Sequence, residues 1–371
     1  MSDNPVDMRD GATIGAKELL ARAAAAETRA QAGLRVAIRD FFLSEDGRLD
    51  ERTRAALAAL LRQLVESVEA EIREHGVRLL TGRGENALAA TLAASGLSAT
   101  DRLARAGLLR DPALMTELIA RVRQEALGVA LPMQAADDPE RPSLINRFVQ
   151  HPDRLLASSA MAVLIAESRR RGGPDAGQFT QAELPAELHH RLVWWVAAAL
   201  RERSLAAGDS LPLLDSALSE AAQRSLAAYD EGDRLEAAAL RFAAAIDARP
   251  HELADLLVES LGDQRIVVFI ALLAHALGLS YETARELVLD PAADRLWLAL
   301  RSLDLPREPI AQIGYALCEA DPHRDLESFA DTLDAAMTVD AAEARAALEP
   351  VRLHPDYRAA MLALRRSERL E

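Results

Sequence analysis

Apolar residues recur at spacings of three and four along almost the whole chain, whereas the strict alternation of a half-buried strand is hard to find. The clearest example runs from Asp50 to about His75, where one face of the pattern carries Leu57, Leu61, Leu64, Val68 and Ile72. Because this period fits a helix and not a strand, the sequence predicts an all-α fold. We expect well over half of the residues to be helical, against about one third in an average protein.

The composition favours the same fold and restricts the partners. Hydrophobic residues make up 50% of the 371 residues but aromatic residues only 4%, so the core must consist mainly of Ala, Leu and Val, which suit closely packed helices. The formal net charge of −15 argues against binding to nucleic acid and to anionic lipid, because both are negatively charged. A single cysteine, Cys318, allows no internal disulfide and is expected to be a buried thiol.

The sequence shows no signal peptide and no membrane span. The first ten residues contain acidic side chains and no apolar core. The longest apolar stretch, Ile266–Leu279, is too short to cross a bilayer and predicts a buried helix in which His275 is also buried. We therefore expect a cytoplasmic protein that does not associate with a membrane.

Three short segments predict corners between consecutive helices. They are Gly96-Leu97-Ser98, Gly278-Leu279-Ser280 and Asp304-Leu305-Pro306. Each combines a residue that accepts a left-handed conformation, a leucine that packs across the corner, and a Ser or Pro that starts the next helix. Such corners are typical of αα-hairpins.

A glycine-containing loop at residues 171–181 predicts the main domain boundary. It separates an N-terminal helical bundle, residues 14–171, from a C-terminal helical domain of short helix pairs, residues 184–371. If the bundle has too few helices to cover the apolar stripe of residues 50–75, a second copy of the chain would cover it. On that condition we expect a homodimer.

Four segments in the second half carry a family resemblance. Residues 253–261 read LADLLVESL, residues 269–279 read FIALLAHALGL, residues 284–290 read ARELVLD and residues 296–306 read LWLALRSLDLP. Over about Pro185 to Cys318, the phasing of these helices resembles a bacterial family of domains of unknown function, number 2336. The resemblance implies an all-helical protein of the bacterial cytosol. It implies no mechanism and no functional residues.

No catalytic signature is recognisable. The sequence has no G-x-S-x-G elbow, Walker A loop, H-E-x-x-H motif or paired C-x-x-C motifs, so we expect no enzyme activity, no cofactor and no metal. Gly82-Arg83-Gly84 is interpreted as a turn. Glu187 and His190 form a single E-x-x-H motif, whereas a di-iron bundle requires two of them and two further glutamates. The arginine run 169–171 is expected to be a solvated end of a helix.

Many helices without a catalytic constellation favour a non-enzymatic protein–protein interaction module, regulatory or scaffolding, whose partners are proteins. The alternative is a histidine phosphotransfer bundle, which needs an accessible histidine on a helix and a nearby basic or polar group. His189 and His190, followed by Arg191, are the candidates for that role.

One group of surface residues is predicted on a helix from Pro185 to Arg203. Trp194 falls roughly opposite the apolar side of this helix, in line with His190 and Arg201. Either the helix is packed on both sides and Trp194 is buried, or these three residues form an interface for a partner or a second copy. Trp and Arg are frequent among interface hot spots.

Overall fold

The computed structural model describes residues 49–94, 98–133, 142–171, 183–203 and 211–354, with residues 356–358, 360, 361 and 364 beyond them. All regular structure in these residues is helical and none is strand. The predicted all-α class is therefore confirmed. The first 35 residues of the predicted N-terminal bundle, 14–48, lie outside the described residues.

The described residues form α-helices along their whole length, with three short 3₁₀ helices between or after them. In chain order they are α1 (Glu51–Gly82), α2 (Asn86–Ala93), α3 (Ala99–Arg105), α4 (Pro112–Ala130), α5 (Leu144–Val149), α6 (Arg154–Arg171), α7 (Ala186–Arg203), α8 (Leu211–Ala228), α9 (Leu235–Ile246), α10 (Pro250–Gly262), α11 (Ile266–Leu277), α12 (Tyr281–Leu289), α13 (Asp294–Ser302), α14 (Arg307–Ala320), α15 (Leu326–Thr338) and α16 (Ala341–Ala347). Short 3₁₀ helices lie at Leu108–Arg110, Glu231–Asp233 and Glu349–Arg352.

Helix α1 contains the apolar stripe seen in the sequence and continues past His75 to Gly82. At its start, the carboxylate of Asp50 accepts hydrogen bonds from the backbone N–H and the hydroxyl of Thr53, at 2.7 and 2.6 Å. In a single chain, Leu61 is half-buried and the other four stripe residues are buried. The condition for expecting a homodimer is therefore not met, and the oligomeric state stays a prediction.

Helix α11 lies at the centre of the core. Ten of its twelve residues are buried, and it packs against α4, α9, α10 and α12. Each large apolar side chain that is fully buried contributes about 1.5–3 kcal/mol. The apolar stretch identified in the sequence is thus a central helix of the packed core, as predicted.

Two of the predicted corners are confirmed. Gly278, with a φ of 66°, ends α11, and the hydroxyl of Ser280 accepts the backbone N–H of Thr283 at 3.2 Å to start α12. Asp304 adopts a φ of 57° between α13 and α14. The third corner lies partly outside the described residues, which do not include 95–97. The larger arrangement of a bundle followed by hairpins stays a prediction.

Two expectations about burial are wrong. The side chain of His275 is 38% exposed, and its Nε2 lies 3.3 Å from Oδ1 of Asp247. The histidine is in the last turn of α11, where no following turn covers it. Cys318 is half-buried, and partial burial raises the pKa of its thiol.

The predicted domain boundary falls almost entirely on residues 172–182, which are outside the described residues. Helices on its two sides pack together, most extensively α6 against α9. Residues 55–371 form one compact unit and residues 1–54 a second, of which the structure describes only 49–54. The division into domains 14–171 and 184–371 stays a prediction.

Candidate functional site: a buried ionic network and its cleft

A group of charged side chains lies inside the helical core. Its members come from α4, α6, α9, α12 and two connecting segments, and each side chain is at most 10% exposed: Glu117, Arg121, Arg170, Glu183, Arg234, Glu236 and Arg285. Charged side chains are almost never buried unless they are paired. We refer to these seven residues as the buried ionic network.

Arg170 connects two carboxylates of the network. Its Nη2 donates to both carboxylate oxygens of Glu236, at 2.8 and 2.9 Å, and its Nε donates to Glu183. Burial acts to lower the pKa of Arg170, but these carboxylates outweigh burial and raise it. Burial acts to raise the pKa of Glu236, but Arg170 and two further arginines lower it to about 2. Both side chains are therefore charged at neutral pH.

A second pair joins α4 to α12. Arg285 donates from Nη1 and Nη2 to the two carboxylate oxygens of Glu117, at 3.1 and 2.5 Å. This two-point geometry is the strong form of an arginine–carboxylate contact. Nη2 of Arg234 lies 3.7 Å from Glu117 and 3.7 Å from Glu236. Arg234 thereby links the second pair to the first.

A cleft with a volume of about 310 Å³ adjoins the network. One wall is formed by α1, through Ala56, Ala59 and Leu60. Arg170 and Arg234 are among the residues that line the other walls. A cleft of this size is at the small end of the range for sites that hold small molecules.

His189 is buried against a residue of this cleft. Its ring stacks on Tyr229, with the ring centroids 3.9 Å apart, and the Tyr229 hydroxyl donates to the carbonyl of Leu184. Neither ring nitrogen of His189 has a hydrogen-bond partner among the described residues. Burial, with a smaller effect of His190, lowers the pKa of His189 to about 4. His189 is therefore neutral at pH 7, and the phosphotransfer alternative, which stays a prediction, rests on the exposed His190.

The three predicted interface residues lie on α7 but do not form one group. Nε1 of Trp194 donates to Nε2 of His190 at 3.2 Å, and their ring centroids are 6.3 Å apart. Arg201 pairs instead with Asp215 on α8, with Nε 2.6 Å from Oδ1. Trp194 is partly buried. The role of these residues in binding stays a prediction.

Helix α6 exposes an apolar pair on the side that does not face the core. Met161 and Ile165 are 43% and 46% exposed, and their spacing of four places them next to each other on one face. The exposed Ser158 and Ser168 lie three residues before and three after this pair. The opposite side of α6 packs against α5 and α9. We refer to these four residues as the α6 face.

Sequence reasoning did not find the buried ionic network. It treated residues 169–171 as a solvated end of a helix, which is wrong for Arg170, whose side chain is 9% exposed. A local signal existed for Arg285, which lies four residues after Tyr281 and three before Val288, so the helical period places it on the core side. Nothing local could identify its partner Glu117, which is 168 residues away.

The described residues contain neither a cluster of metal ligands nor a single helix that could cross a membrane. In them, no three His, Cys, Asp or Glu side chains are grouped as a metal site requires, so Glu187 and His190 gain no third ligand there. In the same part of the chain, no single helix is both long and apolar enough to cross a membrane.

The fold and this site define an all-helical protein whose core contains a buried ionic network. The chain belongs to the family described as an uncharacterised protein conserved in bacteria (DUF2336), which matches residues 133–349. The match confirms the resemblance seen in the sequence and extends it at both ends, so that it also includes α6 and α15. No curated protein and no solved structure gives a significant match.

Proposed function

We propose that the chain is a non-enzymatic protein–protein interaction module of the bacterial cytoplasm, regulatory or scaffolding, and that the α6 face binds a protein partner. The observation that supports this proposal is the exposed pair of Met161 and Ile165 on a helix whose other side is already packed. A helix packed on one side normally has a polar outer face. Interfaces commonly have an apolar centre within a polar rim.

The surroundings of this pair fit such an interface. Ser158 and Ser168 supply polar groups at its two ends, and the exposed Arg154 lies one turn before Ser158. Arginine and methionine are enriched at protein interfaces. The α6 face also lies within the residues that match the bacterial family.

The proposal is tested with two double variants of the full chain. Met161→Glu with Ile165→Glu places charges at the centre of the α6 face. Ala342→Glu with Ala346→Glu adds two charges at the same spacing on α16, outside the α6 face, and is the matched control. Both variants should keep the circular dichroism spectrum and the melting temperature of the wild type, because all four positions are exposed.

Each chain is then used to capture proteins from a bacterial lysate, with quantification by mass spectrometry. We expect at least one protein that is retained by the wild type and by the Ala342/Ala346 control but lost from the Met161/Ile165 variant. The same difference in affinity should be measured with that partner after purification. Equal capture by both variants would contradict a role of the α6 face.

Trp194→Ala, studied in parallel, tests the interface predicted from the sequence. Loss of the same partner without loss of stability would place part of the interface on α7. Light scattering on the wild type and on the Met161/Ile165 variant tests whether the partner is a second copy of the chain. A homodimer formed through the α6 face must dissociate in that variant.

A further inference from the structure

The buried ionic network contains more positive than negative groups. Four arginines, at positions 121, 170, 234 and 285, face three carboxylates, at positions 117, 183 and 236. Two further carboxylates, Glu125 and Glu231, reach Arg121 and Arg234 from the rim, but they are 43% and 48% exposed. Water screens such exposed partners strongly. The interior is left with one positive charge that no buried carboxylate balances.

Two donors of this network also have no acceptor. Within the described residues, neither Nη1 of Arg170 nor Nε of Arg234 has a hydrogen-bond partner. Both arginines approach the same carboxylate, Glu236, through their Nη2 atoms, at 2.8 and 3.7 Å. Buried N–H groups of folded proteins almost always have a partner, in the protein or in a bound molecule. The two donors therefore point to an acceptor in this region.

Glu183, the third carboxylate of the network, differs from Glu236 in the direction of its pKa shift. Burial raises the pKa of Glu183, against the opposing effects of Arg170 and Arg121. A carboxyl group with a raised pKa is ionised less readily than an ordinary glutamate. The imbalance of buried charge is therefore larger whenever Glu183 takes up a proton.

The cleft beside the network offers room for that acceptor. Arg170 and Arg234 both line it, and so do the small or apolar side chains of Ala56, Ala59 and Leu60 on α1. Guanidinium groups recognise carboxylate and phosphate oxygens through fixed pairs of N–H donors. Four carboxylates also line the cleft, and three of them, Glu125, Glu183 and Asp233, are paired with arginines of the same lining. The cleft thus combines two arginines that each have an unpartnered donor with apolar side chains of α1.

We infer that this cleft binds a small organic anion, a phosphate ester or a carboxylate, whose oxyanion accepts hydrogen bonds from Arg170 and Arg234 and whose apolar part lies against α1. Both donors are covered, so the oxyanion reaches them when a neighbouring side chain moves. Arg169, which also lines the cleft, is a side chain that can move, because it is 50% exposed and its partner Asp233, at 3.2 Å, is 49% exposed. Binding here is independent of the α6 face.

The experiment measures binding to the full chain by titration calorimetry at low ionic strength. The probes are inorganic phosphate, phenyl phosphate, hexanoate and the uncharged hexanol. Ala59→Phe fills the cleft from α1. Ala58→Phe is the matched control, because Ala58, the residue before Ala59, is exposed and does not line the cleft. If Ala59→Phe fails to fold, Ala56→Phe replaces it, since Ala56 is an exposed lining residue too.

We expect phenyl phosphate or hexanoate to bind to the wild type and to Ala58→Phe, with affinity at least about tenfold lower in Ala59→Phe. Binding of phenyl phosphate and inorganic phosphate alone identifies a phosphate ester as the ligand class, and binding of hexanoate alone identifies a carboxylate. The inference is overturned if no charged probe binds, if hexanol binds as tightly as hexanoate, or if the two phenylalanine variants bind the probes equally.

Discussion

At the residue scale, Gly314 marks a very close approach between α14 and α15. A Cβ atom at this position would lie 1.9 Å from Cζ of Phe329. The phenylalanine ring is buried and packs on Trp297, with centroids 4.7 Å apart, so it has little freedom to withdraw. We expect Gly314→Ala to lower the free energy of unfolding by about 1–3 kcal/mol. Urea unfolding followed by circular dichroism measures the loss.

Gly82 and Phe329 provide the controls for this prediction. A Cβ at Gly82, the last residue of α1, would meet no atom within 4 Å, so Gly82→Ala should change stability little. Phe329→Leu replaces the ring by a smaller side chain. Combined with Gly314→Ala, it should recover part of the stability that Gly314→Ala loses. If Gly314→Ala is as stable as Gly82→Ala, the two helices are not packed as closely as described.

We expect the stability of the protein to depend on pH through His189. The pKa of its folded form is about 4 and that of an ordinary histidine is 6.5, with burial as the main cause. Between these values the unfolded chain binds a proton that the folded chain does not, so stability is lost as the pH falls from 6.5 towards 4. The shift corresponds to a loss of about 3 kcal/mol over this range.

This pH dependence can be assigned by substitution. The free energy of unfolding of His189→Phe should fall less than that of the wild type between pH 6.5 and pH 4, because the ring no longer titrates. His251→Gln, which changes a histidine that is 72% exposed, should follow the wild-type curve. If His189→Phe and the wild type lose stability in parallel, His189 is not the group responsible.

At the scale of helices, the features that could be predicted are those that depend only on residues close together in the sequence. The stripe on α1 and the corner at Gly278 follow from short spacings and from the backbone freedom of glycine, so both could be recognised in advance. The pair Glu117–Arg285 and the contact between Gly314 and Phe329 could not, because each depends on which helices meet. A single sequence contains the helical periods but not the identity of the neighbouring helix.

The link between α4 and α12 can be measured with a double-mutant cycle on Glu117 and Arg285. Each single change to methionine leaves one buried charge without its partner, which costs about 3–5 kcal/mol. We expect Glu117→Met to cost more than Arg285→Met, because Arg234 also lies 3.7 Å from Glu117. The double variant should lose less stability than the sum of the two single variants.

An exposed pair on α1 is the control for this cycle. Arg78 and Glu74 are 56% and 52% exposed and 3.1 Å apart, so their coupling should not exceed about 1 kcal/mol. A coupling between Glu117 and Arg285 that is no larger than this would show that the buried pair does not hold α4 and α12 together.

At the scale of the whole molecule, the buried ionic network crosses the domain boundary predicted from the sequence. Glu117, Arg121 and Arg170 lie before residues 172–182, whereas the other four members follow them. A fragment of residues 184–371 would lose these three partners and also Glu183. It would also expose the side of α9 on which α6 packs. We therefore expect the full chain to show a cooperative unfolding transition and the fragment 184–371 to lack one.

A second fragment distinguishes two possible causes of this loss of cooperative unfolding, namely uncompensated charge and the exposed side of α9. In 184–371 with Arg285→Met, the arginine that lost its partner Glu117 is replaced by an apolar side chain of similar length, whereas Arg234 is kept because it still lies 3.7 Å from Glu236. If uncompensated charge destabilises the fragment, this variant should regain helical signal and show a sharper thermal transition than the unmodified fragment. If the exposed side of α9 is the cause, both fragments should behave alike, and only a fragment that includes α6, residues 142–371, should improve. A cooperative transition of unmodified 184–371 at the melting temperature of the full chain would contradict both causes and would establish the boundary that the glycine-containing loop predicts.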